Sequence, residues 1–178
     1  MNPDAIIEPI TEQQRHEVVA ATRHCIAKAS QLYGRDFALV QVDFDLRGKC
    51  AGMYQVRRQG SRIRYNPWLF AKYYQDSIND TVPHEVAHYV VDCLFGLRHV
   101  KPHGREWQQV ISDLGGTPKA TGSYSLEGIP TRQYQRFDYD CGCRSHQLTL
   151  VRHRKIQGGR AKYLCQFCHG PLVAQVRV

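Results

Sequence analysis

From Val82 to Leu97 the chain is apolar at every position but four: His84, Glu85, His88 and Asp92. With residues spaced 100° apart on a helix, these four fall within one arc of about 100°. The pattern predicts a helix buried around most of its circumference, its polar stripe turned toward a cleft. Asn79 is the expected N-cap, with Asp80 in the positive first turn. Pro83 sits where a missing N–H costs nothing, and Gly96 is the natural stop. Upstream, Thr11-Glu12-Gln13-Gln14 reads as a capping box opening a helix to about Tyr33, with Val18, Ile26 and Ala29 on its apolar face. Ala38 to Phe44 alternates as a strand with Val40, Val42 and Phe44 on one side. Gly48 to Gly60 and Ser61 to Tyr65 read as two more strands with a hairpin at Gln59-Gly60. Cys50 to Val56 is a candidate edge strand, able to pair with an extended peptide. Asn66-Pro67 caps a short helix whose aromatics (Trp68, Phe70, Tyr73 and Tyr74) have the spacing of core residues. A further helical run follows His103-Gly104 and ends at Gly115-Gly116.

The C-terminal pattern is different. Gly122, Ser123, Gly128 and Pro130 mark a linker over residues 117–137. Beyond it, Gln147 to Val151, Ala161 to Leu164 and Leu172 to Ala174 read as short strands, with a turn at Gly158-Gly159. The expected architecture is α+β. A minidomain over residues 11–116, with a small antiparallel sheet, packed helices and the Val82–Leu97 helix at its centre, precedes a small β domain over 138–178.

Composition narrows the class. The 178 residues suit one substantial core and a small appendix, and 42% hydrophobic with 22% charged is ordinary for a globular chain. No apolar run approaches a membrane span, and Met1-Asn2-Pro3-Asp4 has neither the basic start nor the apolar stretch of a signal peptide. Of the seven cysteines, Cys25, Cys50 and Cys93 are scattered and read as buried or idle thiols. The other four cluster at metal-ligand spacing, which suits a reducing, cytoplasmic setting. The expected state is a monomer with no membrane partner.

The polar stripe carries the chemistry. His84-Glu85-Val86-Ala87-His88 is a HExxH sequence. Residues four apart share a helix face, so His84 and His88 can hold one Zn²⁺ together while Glu85 stands beside it as a base. A metzincin continuation would need Gly at 91 and His at 94, where this chain has Val91 and Leu94. His99, His103 and Glu106 remain as candidates for a third ligand. HEVAH followed by His103-Gly104-Arg105-Glu106-Trp107 resembles the SprT family, which includes the bacterial SprT proteins and the Spartan proteases. The resemblance runs over roughly residues 15 to 175 and takes in Asn66-Pro67 and the C-terminal cysteines. It implies His84, His88 and His103 as zinc ligands, Glu85 as the catalytic base, and a zincin-like metalloprotease domain. It also implies substrates among proteins bound or crosslinked to DNA.

Cys141-Gly142-Cys143 and Cys165-Gln166-Phe167-Cys168 have the spacing of a zinc ribbon, two knuckles supplying four thiolates to a structural Zn²⁺. Cys143 with His146 and the later pair is an alternative set that leaves Cys141 spare. Residues 141–178 carry seven Lys and Arg and no acid, against 17 Lys and Arg and 16 Asp and Glu in the first 140. Such a basic module attracts polyanions, and DNA is the expected partner. Arg152 and Arg154 are expected on one face of a strand, with Lys155 and Arg160 across the turn. Together these features predict a zinc-dependent metalloprotease with a basic zinc ribbon behind it. The alternatives are a non-enzymatic zinc-containing nucleic-acid-binding protein and a hydrolase of non-peptide amides. Three ligands plus a base, where a structural site has four ligands, favour the enzyme.

Overall fold

The computed structural model describes residues 7–119, 124–131 and 135–175. Contacts divide the chain into two compact units, residues 1–131 and 132–178.

The first unit opens with α1 (Glu12–Tyr33). Thr11 Oγ1 accepts from Gln14 N–H at 3.2 Å, and Gln14 Oε1 accepts from Thr11 N–H at 2.9 Å, so two otherwise unpaired donors are satisfied reciprocally. Val18, Thr22, Cys25, Ile26 and Ala29 form its buried face, and Gly34 ends it in the left-handed conformation. A three-stranded sheet follows, with β1 (Gln41–Asp43), β2 (Gly52–Arg57) and β3 (Gly60–Tyr65) in the order β1-β3-β2. β2 and β3 form a hairpin as expected, and β2 lies at an edge. The hairpin turn is at Arg58-Gln59, one residue earlier than Gln59-Gly60, because Gly60 already pairs with Arg57. The sheet is mixed, not antiparallel, because β1 pairs parallel to β3. Two successive chain reversals, one on each side of β2, restore the direction of β1 in β3. Alternation within each strand gives no sign of which neighbour a strand will choose.

Asn66 is fully buried and caps α2 (Pro67–Lys72), its Oδ1 accepting from Trp68 and Leu69 N–H. Its Nδ2 donates to Gly48 O and Cys50 O, pinning the loop that enters β2. A short α3 (Tyr74–Asp76) and a π-helical turn (Ser77–Thr81) lead directly into α4 (Val82–Phe95). Asn79 is therefore not the cap of α4. The helical path is continuous, Val82 N–H already bonds Ser77 O, and Asn79 Oδ1 accepts from Gln75 Nε2 instead. Gly96 ends α4 as expected, its N–H bonding Asp92 O at 2.9 Å. α4 contributes Val82, Val86, Ala87, Tyr89, Val90 and Val91 to one core with Ile63 and Tyr65 of β3 and Trp107, Val110 and Ile111 of α5 (Arg105–Asp113).

Within the segment expected as a linker, Gly122 and Ser123 lie outside the described residues. Residues 124–131 belong to the first unit, where Gly128 O accepts from Ile7 N–H at 2.9 Å, Lys72 Nζ donates to Glu127 O at 2.7 Å, and Ile129 is buried.

The second unit has β4 (Arg136–Asp140), β5 (Ser145–Thr149), α6 (Leu150–Gln157) and β6 (Val173–Ala174), with strand order β5-β4-β6. The strand expected to reach Val151 ends at Thr149, where α6 begins. Leu150, His153 and Ile156, three apart, are the half-covered positions of α6, a helical period that the run of basic residues conceals. His153 stacks on Phe137 with centroids 3.8 Å apart and bonds the buried Tyr139 hydroxyl through Nδ1 at 3.0 Å. The strand expected over Ala161 to Leu164 is a single bridge, Leu164 to Pro171. Among the described residues no helix is long and apolar enough to cross a membrane.

Candidate metal centre

Helix α4 presents His84 and His88 one turn apart, and the loop after Gly96 brings His103 against them. The three Nε2 atoms lie 3.3 Å (His84 to His88), 3.1 Å (His88 to His103) and 3.1 Å (His84 to His103) apart. Ligands at a Zn–N distance of about 2.0–2.1 Å sit at corners of a tetrahedron with edges of about 3.3–3.4 Å, so the triad is close to what zinc requires. Three neutral imidazoles that aim the same nitrogen at one point also repel one another unless a cation lies between them. The donor set fits the ion.

Two backbone features bring His103 in. Its φ of +54° is left-handed, uncommon for a side-chain-bearing residue, and the turn is closed by Gly104 N–H to Lys101 O at 2.9 Å. A Cβ on Gly104 would stand 2.9 Å from that same carbonyl oxygen, so the tight turn needs glycine. Trp107, fully buried, packs against all three rings, with centroids 4.7 Å from His84, 5.5 Å from His88 and 4.6 Å from His103. Of the other candidates, His99 is exposed, and neither it nor Glu106 joins the group.

Glu85 is 5% exposed, and its Oε2 accepts from Tyr54 N–H of β2 at 2.7 Å. Burial pushes its carboxyl up to about 8, against the opposing pull of that N–H. Burial first, then neighbouring histidines, lowers His84 to about 4 and His88 to about 3; burial lowers His103 as well. All three imidazoles are neutral near pH 7, the state a metal ligand needs. A dication among them would draw Glu85 back toward its ionised form.

Sequence reasoning missed the partners of Glu85. A Cβ on Gly52 would lie 2.6 Å from Glu85 Cγ and Oε1 and 2.8 Å from Thr81 Cγ2, so β2 can approach the carboxylate only as glycine. A glycine inside a strand pattern is the signal that could have found it. Asp92, the fourth residue of the polar stripe, is not aimed at the triad. It accepts from the Tyr54 hydroxyl at 2.7 Å and from Leu97 N–H at 3.1 Å, tying β2 to the end of α4.

The second group of ligand atoms among the described residues is Cys141, Cys143, Cys165 and Cys168, all within 4.8 Å of one another. Cys141 and Cys143 Sγ are 3.2 Å apart, and Cys143 and Cys165 Sγ 3.8 Å; a tetrahedron with Zn–S of about 2.3 Å has edges of about 3.8 Å. His146 Nε2 stands 3.3 Å from Cys141 Sγ, and bonding to that sulfur raises the imidazole pKa. Of the basic residues, Arg152 lies over Tyr163, 5.5 Å from the ring centroid, while Arg154, Lys155 and Arg160 are exposed. Arg152 and Arg154 do not share a face as expected, because on a helix two residues apart means about 200°. Arg144, unremarked in the sequence, lies 4.2 Å over the exposed ring of Phe167.

The SprT-like family matches residues 22–130, the stretch that contains all three histidines and Glu85. The chain belongs to the SprT-like family. "Protein SprT" of Actinobacillus succinogenes is 41% identical over 148 residues, covering 83% of this chain and 84% of the relative. "Protein SprT" of Vibrio parahaemolyticus is 37% identical, covering 83% and 86%. "Protein SprT" of Pasteurella multocida is 34% identical over 176 residues, covering 98% and 100%, so the similarity to SprT relatives extends through the cysteine-bearing unit. No solved structure matches the chain.

Proposed function

We propose that this chain is a zinc-dependent metallopeptidase of SprT type that hydrolyses peptide bonds in proteins bound or crosslinked to DNA. The observation that carries the reading is the convergence of His84, His88 and His103 Nε2 at 3.1–3.3 Å with the buried Glu85 carboxylate beside them. His84, His88 and His103 would hold the ion and leave one coordination position to water or substrate. When bound, Zn²⁺ supplies Lewis acidity, lowering the pKa of water and polarising a carbonyl oxygen.

The chain's own residues account for the rest. Tyr54 N–H holds Glu85 Oε2, which leaves Oε1 to take a proton from the attacking water and deliver it to the departing amine nitrogen. β2 has no strand partner on its outer side among the described residues, so an extended peptide can add there and lie across Glu85. Trp107 and the neighbouring apolar wall limit water around the histidines.

In the second unit, Cys141, Cys143, Cys165 and Cys168 would hold a structural Zn²⁺ in a ribbon, with His146 as an N–H donor to Cys141. Thiolates of this kind require a reducing compartment such as the cytoplasm. Arg152, Arg154, Lys155 and Arg160 supply a sequence-independent attraction for DNA phosphates.

Elemental analysis tests the two sites together. Zinc-loaded protein should hold about two zincs per chain from the two ligand sets, His103→Ala about one, and Cys165→Ser about one. Peptide hydrolysis should stop with a chelator and return with added zinc. A fully loaded chain that binds DNA and hydrolyses nothing would leave the non-enzymatic reading.

A further inference from the structure

Beside the histidine triad lies a cavity of about 360 Å³. One side of it is the metal centre. The remaining wall is formed by Met53, the Tyr54 ring, Val91, Leu97, Val100 and Pro102, and the hydrolytic chemistry uses none of these side chains. Val91 stands three positions beyond His88 on α4, so the apolar wall continues the metal-facing side of the helix. Leu97 and Met53 remain 42% and 37% exposed, although both are large apolar side chains beside a polar centre.

We propose that this cavity receives a bulky apolar side chain of the substrate, of the Leu, Met or Phe class, at a residue flanking the scissile bond. The proposal rests on the hydrolase reading above and names the peptides that site selects.

The wall is already in place. The Tyr54 hydroxyl is fixed on Asp92 at 2.7 Å, and the loop that carries Val100 and Pro102 is closed by Gly104 N–H on Lys101 O at 2.9 Å. The volume lies at the lower end of what small-ligand pockets span, about 300–1,000 Å³, enough for one large side chain. An apolar group against that wall covers mainly carbon, and the Tyr54 hydroxyl there is already bonded to Asp92. A Lys or Arg side chain would find no carboxylate on that apolar wall, and Lys101 is the one Lys or Arg in the lining. A peptide extended along β2 sends alternate side chains to alternate faces, so one residue near the reacting carbonyl can point into the cavity.

Methyl NMR on full-length, zinc-loaded Glu85→Gln protein tests this without turnover. The probes are acetylated Gly-Gly-Xaa-Gly-Gly amides with Xaa Leu, Phe, Ala or Lys. The Leu and Phe peptides should move the methyl signals of Val91, Leu97 and Val100 and bind about tenfold more tightly than the Ala peptide, with Lys weakest. Leu97→Ser and the nearly isosteric Val100→Thr should each reduce the Leu-over-Ala ratio to about threefold or less, with zinc content unchanged. Equal affinity for all four peptides, or shifts confined to other methyls, would overturn the proposal. Wild-type cleavage of the same sequences carried in a DNA-bound protein separates the two readings. Selective binding without hydrolysis keeps the pocket and removes the hydrolase, while hydrolysis with no preference keeps the hydrolase and removes the pocket.

Discussion

A methyl group on Gly52 would lie 2.6 Å from the Glu85 carboxylate, closer than any relaxed contact allows. Gly52→Ala should therefore push Glu85 off the Tyr54 N–H while sparing the three histidines. The expected result is full zinc content, destabilisation of about 1–3 kcal/mol, and a hydrolytic rate down at least about tenfold. Wild-type turnover in that variant would show that Glu85 needs no such fixing. The titrations of the metal-free chain make a second prediction. Folded Glu85 keeps its proton up to about 8, so its contribution to stability is complete below its unfolded value of 4.5 and is lost as pH rises through about 8. His84 and His88 act in the opposite sense. Held near 4 and 3, they contribute fully above 6.5 and lose that contribution as pH falls toward those values. Metal-free protein should therefore be most stable near pH 6.5, with a decline above it that Glu85→Gln abolishes. Thermal melts in chelator between about pH 5 and pH 9 check this, and identical curves for the two proteins above 6.5 would contradict it. The histidine pair and Glu85 were legible because their spacing is local to one helix. The Gly52 and Tyr54 contacts were not, because they join residues distant in the chain.

The elements show the same division. α1 and α2 announced themselves through caps: Thr11 with Gln14, and Asn66 ahead of Pro67, satisfy backbone donors by local chemistry that a sequence displays. The start of α4 did not, since a π-helical turn feeds it and removes any need for a capping side chain. The direction of β1 is a property of pairing, not of pattern. α6 was hidden because its inward positions, Leu150, His153 and Ile156, are only half covered and stand among charged residues. Its helical geometry changes the expected DNA contacts. Arg152 and Lys155, three apart, share a side, and Arg154 faces away. Changing Arg152 and Lys155 together to Ala should flatten the slope of log affinity against log salt by about 1.4–1.8, and Arg154→Ala should do much less. Equal loss from Arg152→Ala and Arg154→Ala would mean that DNA meets both sides of the helix.

At the scale of the whole molecule there are two compact units: a near-neutral one with the histidine triad, and a small basic one with the four cysteines. Charge division and ligand spacing made that partition readable, because both are counted along the chain. The cavity beside the triad was not readable, since β2, α4 and the loop before His103 form it only after folding. The hydrolysis proposed for the first unit depends on Glu85 acting as a base beside the triad, and Glu85→Gln removes the base while leaving every proposed ligand and nearly the same shape. The decisive measurement is cleavage of a DNA-bound protein by wild type and Glu85→Gln at matched zinc content. Both should carry about two zincs and melt alike when zinc-loaded, and only the wild type should cleave. Cleavage by Glu85→Gln at the wild-type rate would contradict the account.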